Sequence, residues 1–196
     1  MVIEIDESKL DPVGRALMRF GVLAYGLTAD REWAAAQVDA GDNEAGSARR
    51  AYVRVMLAFV EGMTHAHKHL LLAANETGRV KLSVPEVFVL HEVQFQLDAK
   101  ARARPVRRPL RLKESVRFLL KLLGRCADPP FDPNFQDDGW RAFMDAIVIR
   151  NRVTHPRTRD DLWLTEADLD RVDQAVKWFE DETTNFLRGF RSAKTA

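Results

Sequence analysis

One cysteine, Cys126, in 196 residues rules out an internal disulfide, and nothing around it suggests zinc ligation. No apolar run approaches the ~20 residues that a membrane-spanning helix needs, so no membrane partner is expected. The opening "MVIEIDESKLD" lacks the basic-then-apolar order of a secretory leader. Glycine-rich phosphate loops, nucleophile elbows and zinc-protease patterns are missing as well, which leaves no cofactor and no metal to expect. Excess charge is also scarce: 30 basic against 29 acidic residues give +1, so the chain as a whole does not advertise nucleic-acid binding. Together these absences point to a reducing, cytoplasmic setting.

What is present is a globular balance, 46% hydrophobic and 30% charged. The length suits one sizeable core and would cramp a second, so residues 1–196 are read as a single helical domain. Apolar residues recur every three or four positions in several segments. The longest stripe is Leu169, Val172, Val176, Phe179, Thr183, Phe186 and Phe190, with Thr165 and Asp168 at its start. A second long helix is expected from about Gly46 to Asn75, with Gly78 as its stop. Further helices are expected from Leu10 to Leu27, around Asp30 to Val38, from Leu112 to Leu123 (ended by Gly124), and from about Gly139 to His155. Loops are expected over 40–45, 75–82, 102–109 and 127–139. Residues 84–98 carry mixed signals. Ser83 to Glu86 resembles a capping box, whereas Val93, Phe95 and Leu97 alternate with polar residues as in a strand. With no partner strand visible elsewhere, helix is favoured. The expected fold is therefore all-α, an up-down bundle of four principal helices with extra short ones.

Charge is spread unevenly. From Ala99 to Lys113 there are seven basic residues and no acid. Arg104, Arg107, Arg108 and Arg111 in this run are candidates for phosphate contacts, a solvated loop being the plain alternative. Pro105 and Pro109 should keep the run extended, and it has no aromatic platform for stacking bases. A second basic group closes the helix that begins near Gly139: Arg150, Arg152, His155, Arg157 and Arg159. Pro156 disfavours helix at His155 and so ends the helix there. Cations in a last turn are ordinary stabilising decoration. In a straight helix, residues five apart point about 140° from one another, so Arg150 and His155 of one chain make an awkward pair. A two-fold axis would bring two histidines and two arginines into one cleft. Arg49 and Arg50, opening the second long helix, could join it. Glu61, His65 and His69 also share a helical face, read as solvated rather than metal-binding; His67 falls in the apolar stripe.

The order "AIVIRNRVTHP", followed by a short turn and a long amphipathic helix, resembles the HEPN superfamily, whose signature is Arg, four to six residues, then His, often with Asn or Asp after the Arg. The likeness rests on about residues 139–190. It implies a helical domain that dimerises across the motif, acting as a metal-independent endoribonuclease or as a non-catalytic binder of RNA or protein. Toxin–antitoxin and phage-defence systems are the implied settings. Arg150, Asn151 and His155 match the motif; Arg157 stands where some toxin branches carry tyrosine. On this likeness His155 would be the acid/base, Arg150 would clamp phosphate oxygens, and Asn151 would orient one of them. Arg152 and Arg157 would add RNA contacts. A homodimer, RNA and an antitoxin or other protein are the implied partners.

Overall fold

In a computed structural model, residues 7–40 and 46–192 are described, with side chains as far as Leu187. The described chain is mostly helical: six α-helices, two short 3-10 turns and one two-stranded sheet. The helices are α1 (Pro12–Asp39), α2 (Ser47–Glu76), α3 (Val84–Leu90), α4 (Leu112–Cys126), α5 (Asp138–Thr154) and α6 (Glu166–Ser192). The strands are β1 (Val93–Leu97) and β2 (Ala103–Arg107). Part of the expected 40–45 loop, and the Phe190 side chain, lie outside the described residues.

Local chemistry sets the ends of these elements. Asp11 caps α1 by accepting the Gly14 N–H at 2.6 Å, with Pro12 just inside. Gly78, at φ +74°, turns the chain away after α2 in the left-handed region that glycine enters without strain. Thr165 and Asp168 exchange bonds across the first turn of α6: Asp168 Oδ2 accepts the Thr165 N–H, and Thr165 Oγ1 accepts the Asp168 N–H.

Helix α2 is the central element, touching each of the other five helices. Fourteen of its 30 residues are buried, which is why its apolar stripe reads so clearly in the sequence. Buried apolar side chains from all six helices join in one cluster, with Phe143, Phe179 and Phe186 the largest fully buried members.

Four expectations are corrected. Residues 84–98 are not one helix: α3 stops at Leu90, and Val93–Leu97 forms β1, antiparallel to β2 with Val93 opposite Arg107. The partner strand lies inside the arginine-rich run, where charge masks strand periodicity, so the stretch expected as a loop over 102–109 is largely strand. The helices expected from Leu10 to Leu27 and around Asp30 to Val38 are one, because Thr28 and Ala29 continue the backbone without a break. Gly124 does not stop α4, which runs to Cys126. It is glycine because a Cβ there would lie 2.3 Å from the Phe131 carbonyl oxygen of the folded-back loop.

His67 is fully buried, with its Nδ1–H donating to the Met63 carbonyl at 2.7 Å and its ring edge-on to Phe20. Burial lowers its pKa from 6.5 to about 4, the Met63 bond opposing this only in part. Between those two values the unfolded chain takes up a proton that the native ring refuses, so stability falls as pH falls. On acidification from pH 7 to pH 5 wild type should lose about 2 kcal/mol more than His67→Leu, at about 1.4 kcal/mol per unit of the window. Urea midpoints at the two pH values measure this; equal losses in the two proteins would refute it.

Candidate functional site

Helix α5 brings the motif to the surface. Its C-terminal turn leaves carbonyls without helical partners, as any helix end does. Here α2 supplies a donor to one of them and two more to the connection that follows. Arg54 donates to the Val153 carbonyl at 2.6 Å, Arg49 to Leu164 at 3.0 Å and Arg50 to Leu162 at 3.3 Å. Arg49 also pairs with Glu166 in the first turn of α6. Three arginines on the first two turns of α2 thus hold the connection between α5 and α6.

Within this clamp the motif residues separate. Arg150 pairs with Glu61 of α2 and donates from Nη1 to Asn151 Oδ1 at 3.1 Å. His155 is the C-cap of α5, with φ −128° and ψ 60°, and is exposed; its side chain makes no hydrogen bond among the described residues. Arg150 and His155 of one chain are therefore not brought together, as the five-residue spacing requires. Asn151 does meet Arg150, by accepting its Nη1–H.

The basic group beyond α5 is less cationic than its sequence. Arg152 is held by Asp168 at 3.1 Å and donates to the Trp163 carbonyl at 3.3 Å. Burial pushes the Asp168 pKa up, but hydrogen bonds from Thr165 and the Arg152 guanidinium outweigh it and hold the carboxyl below its ordinary value. Arg157 and Arg159 are exposed and form no ion pair among the described residues. Their turn is shaped by Asp161, whose Oδ2 accepts the backbone N–H of Arg157 at 2.7 Å and of Thr158 at 2.9 Å. Those bonds lower the Asp161 pKa. Two apolar side chains flank the motif in water: Val148, 65% exposed, and Trp163, 73% exposed. Val148, Asn151 and Arg152 share one side of α5 by spacing.

The hairpin holds the other basic group. Arg102 and Arg104 both pair with Asp98, and Arg108 donates to Gln94. Arg107 reaches Glu92 only at 4.0 Å and is 82% exposed. Arg111 precedes α4, its backbone N–H donating to Glu114 at 3.4 Å. Lys68, almost fully buried on α2, pairs with Glu92 at 2.9 Å. Glu92 sits at φ +55° between α3 and β1, an uncommon conformation for a residue with a side chain.

The face of Glu61, His65 and His69, read as solvated, is exposed but not idle, since Glu61 anchors Arg150. His65 and His69 bond to one another at 3.0 Å between their Nε2 atoms. Among the described residues no group of three His, Cys, Asp or Glu side chains is placed to hold a metal ion. Sequence reasoning missed Arg54, Lys68 and the role of Glu61. A signal existed: Arg50, Arg54, Glu61, His65 and Lys68 fall within a ~60° sector of a helix turning 100° per residue.

Comparisons with protein-family models, with curated proteins and with solved structures give no match for this chain.

The Arg54 bond is a charged donor on a partly buried carbonyl, so Arg54→Ala should cost about 1.5–3 kcal/mol. Hydrogen exchange should rise selectively from Val153 to Leu164. Unchanged exchange in that segment would show that the clamp does not hold it.

Proposed function

We propose that this chain is an HEPN-like, metal-independent endoribonuclease with a four-helix up-down core, whose site is completed by a second copy. The observation that carries this reading is the exposed end of α5, where Asn151 and His155 are displayed beside Val148 and Trp163, two large apolar groups in water. Exposed apolar groups beside polar ones suit a surface that another protein surface covers. A two-fold axis that brings two histidines and two arginines into one cleft overcomes the angular separation of Arg150 and His155 within one chain.

The chemistry asked of such a cleft is cleavage by the neighbouring 2′-hydroxyl. One His155 takes the proton from the 2′-oxygen as that oxygen bonds to phosphorus. The bond from phosphorus to the 5′-oxygen breaks, and His155 of the second copy donates a proton to that leaving oxygen. The products are a 2′,3′-cyclic phosphate and a 5′-hydroxyl. The two histidines must hold opposite protonation states, which one ring cannot do at once. Arg150 stabilises the charge gathering on the phosphorane. Its guanidinium has five N–H donors, and the bonds to Glu61 and Asn151 leave three for phosphate oxygens. Arg152 and Arg157, with Arg104, Arg107, Arg108 and Arg111 of the hairpin side, attract the flanking backbone.

The second reading is a non-catalytic bundle that binds RNA or a protein such as an antitoxin. It draws on the Arg150–Glu61 pair, which a binder can keep intact throughout.

Total RNA incubated with purified protein in EDTA distinguishes these readings. Cleavage should persist in EDTA and fall by about 10²–10⁴ in His155→Ala, the range for loss of a general acid or base. Salt-sensitive binding without cleavage would establish the second reading instead. In either case the hairpin arginines should differ. Arg107→Ala should lower the salt slope of single-strand binding by about 0.7, the effect of one lost phosphate contact. Arg104→Ala, already neutralised by Asp98, should lower it less; equal effects would contradict the hairpin geometry.

A further inference from the structure

Five polar or charged residues of the described chain are buried, and three of them, Thr64, Lys68 and Ser115, line the same small cavity. Its volume is about 230 Å³, the space of several waters at about 30 Å³ each. Glu61, His65 and Arg107 are exposed and form its mouth; Thr64, Lys68 and Ser115, at 3–4% exposure, form its floor. The Thr64 hydroxyl is buried and has no hydrogen-bond partner, a cost that a native fold seldom leaves unanswered.

The unused hydrogen-bonding capacity in this cavity is rich in donors. Lys68 has three N–H groups and spends one on Glu92. Thr64 and Ser115 add two hydroxyls, and Arg107 adds a guanidinium fork whose nearest carboxylate is 4.0 Å away. One wall is the first turn of α4, the positive end of that helix's dipole, represented by Leu112 and Ser115. Both carboxylates lining the cavity are already engaged, Glu92 by Lys68 and Glu61 by Arg150. Glu92 reaches Lys68 from a left-handed backbone conformation that costs free energy, of the kind found where a site is built. What fits is a compact anion with several acceptor oxygens.

We propose that this cavity is a phosphate subsite. It deepens the RNA reading above and rests on it for the identity of the ligand: the mouth is Glu61, which also holds Arg150, so a strand phosphate seated here lies next along α2 from the motif. Lys68, Thr64 and Ser115 supply the floor contacts and Arg107 closes over the outer face. The hairpin and the end of α5 then belong to one continuous strand path, with α2 as its bed.

The test uses inorganic phosphate followed by NMR on the full chain, with chloride at matched ionic strength as the blank. Saturable shifts of the Thr64 and Ser115 signals are expected with phosphate and not with chloride. Thr64→Val, which keeps the shape, should weaken binding two- to tenfold, and Arg107→Ala about tenfold or more, the worth of a neutral and a charged hydrogen bond. Both substitutions leave the Lys68–Glu92 pair in place, so folding is preserved and confirmed by circular dichroism. No saturable shift in wild type, or equal affinity in both variants, overturns the proposal. His155→Ala should bind phosphate as wild type does. Phosphate uptake without RNA cleavage therefore keeps the subsite while refuting the nuclease; cleavage without phosphate uptake does the reverse.

Discussion

The polar edge of α2 is the constraint on which the rest depends. A helix that ends at a surface leaves carbonyls unsatisfied, and α5 ends where the motif needs a fixed backbone. Arg54 answers one of those carbonyls, and Arg49 and Arg50 hold the connection that follows, from a helix that is anchored by fourteen buried residues. The order of the motif turn is therefore borrowed from the core. A lone α5 end would fray; one held by Arg54, with Arg49 and Arg50 fixing the connection beyond it, presents Asn151 and His155 from a defined platform.

The same edge continues past the motif. Glu61 takes Arg150, and Lys68, two turns further on, takes Glu92 at the root of the hairpin. The motif and the arginine-rich hairpin, nearly fifty residues apart in sequence, are thus both tied to one rigid element. Their arginines are unequal as a result. Asp98 and Asp168 neutralise some, while Arg107, Arg157 and Arg159 stay open to solvent, so the surface offered to an anion is a selected subset of what the sequence counts. Burial of the motif face against a second copy would also remove Trp163 and Val148 from water, a favourable term that the single chain leaves unused.

Much of this was legible in the sequence. The long helices came from apolar spacing, because Val53, Val60, Leu70, Val172 and Phe179 repeat with the helical period and are all buried. The end of α5 at His155 came from Pro156, and the burial of His67 from its place in the stripe. The hairpin did not come through. β2 is "ARPVR", with every residue exposed, so no buried face imposes alternation, and a strand without a visible partner reads as something else. Glycines misled for a related reason: Gly124 looks like a stop signal, yet its cause is the close approach of Phe131, where the loop after α4 folds back on the helix. The pairing of Glu61 with Arg150 was hidden because an acid and a base 89 residues apart carry no mutual mark; only the shared polar sector on α2 hinted that its exposed side was in use.

The proposed cleft needs two copies of the chain to meet across the end of α5. The direct measurement is dipolar spectroscopy on a Cys126→Ser chain carrying a spin label at Thr158, an exposed position in the turn beyond His155. A single short distance between labels, lost when Trp163 is replaced by Asp, is the predicted result. A long or absent dipolar coupling in a chain that still cleaves RNA would contradict the shared cleft.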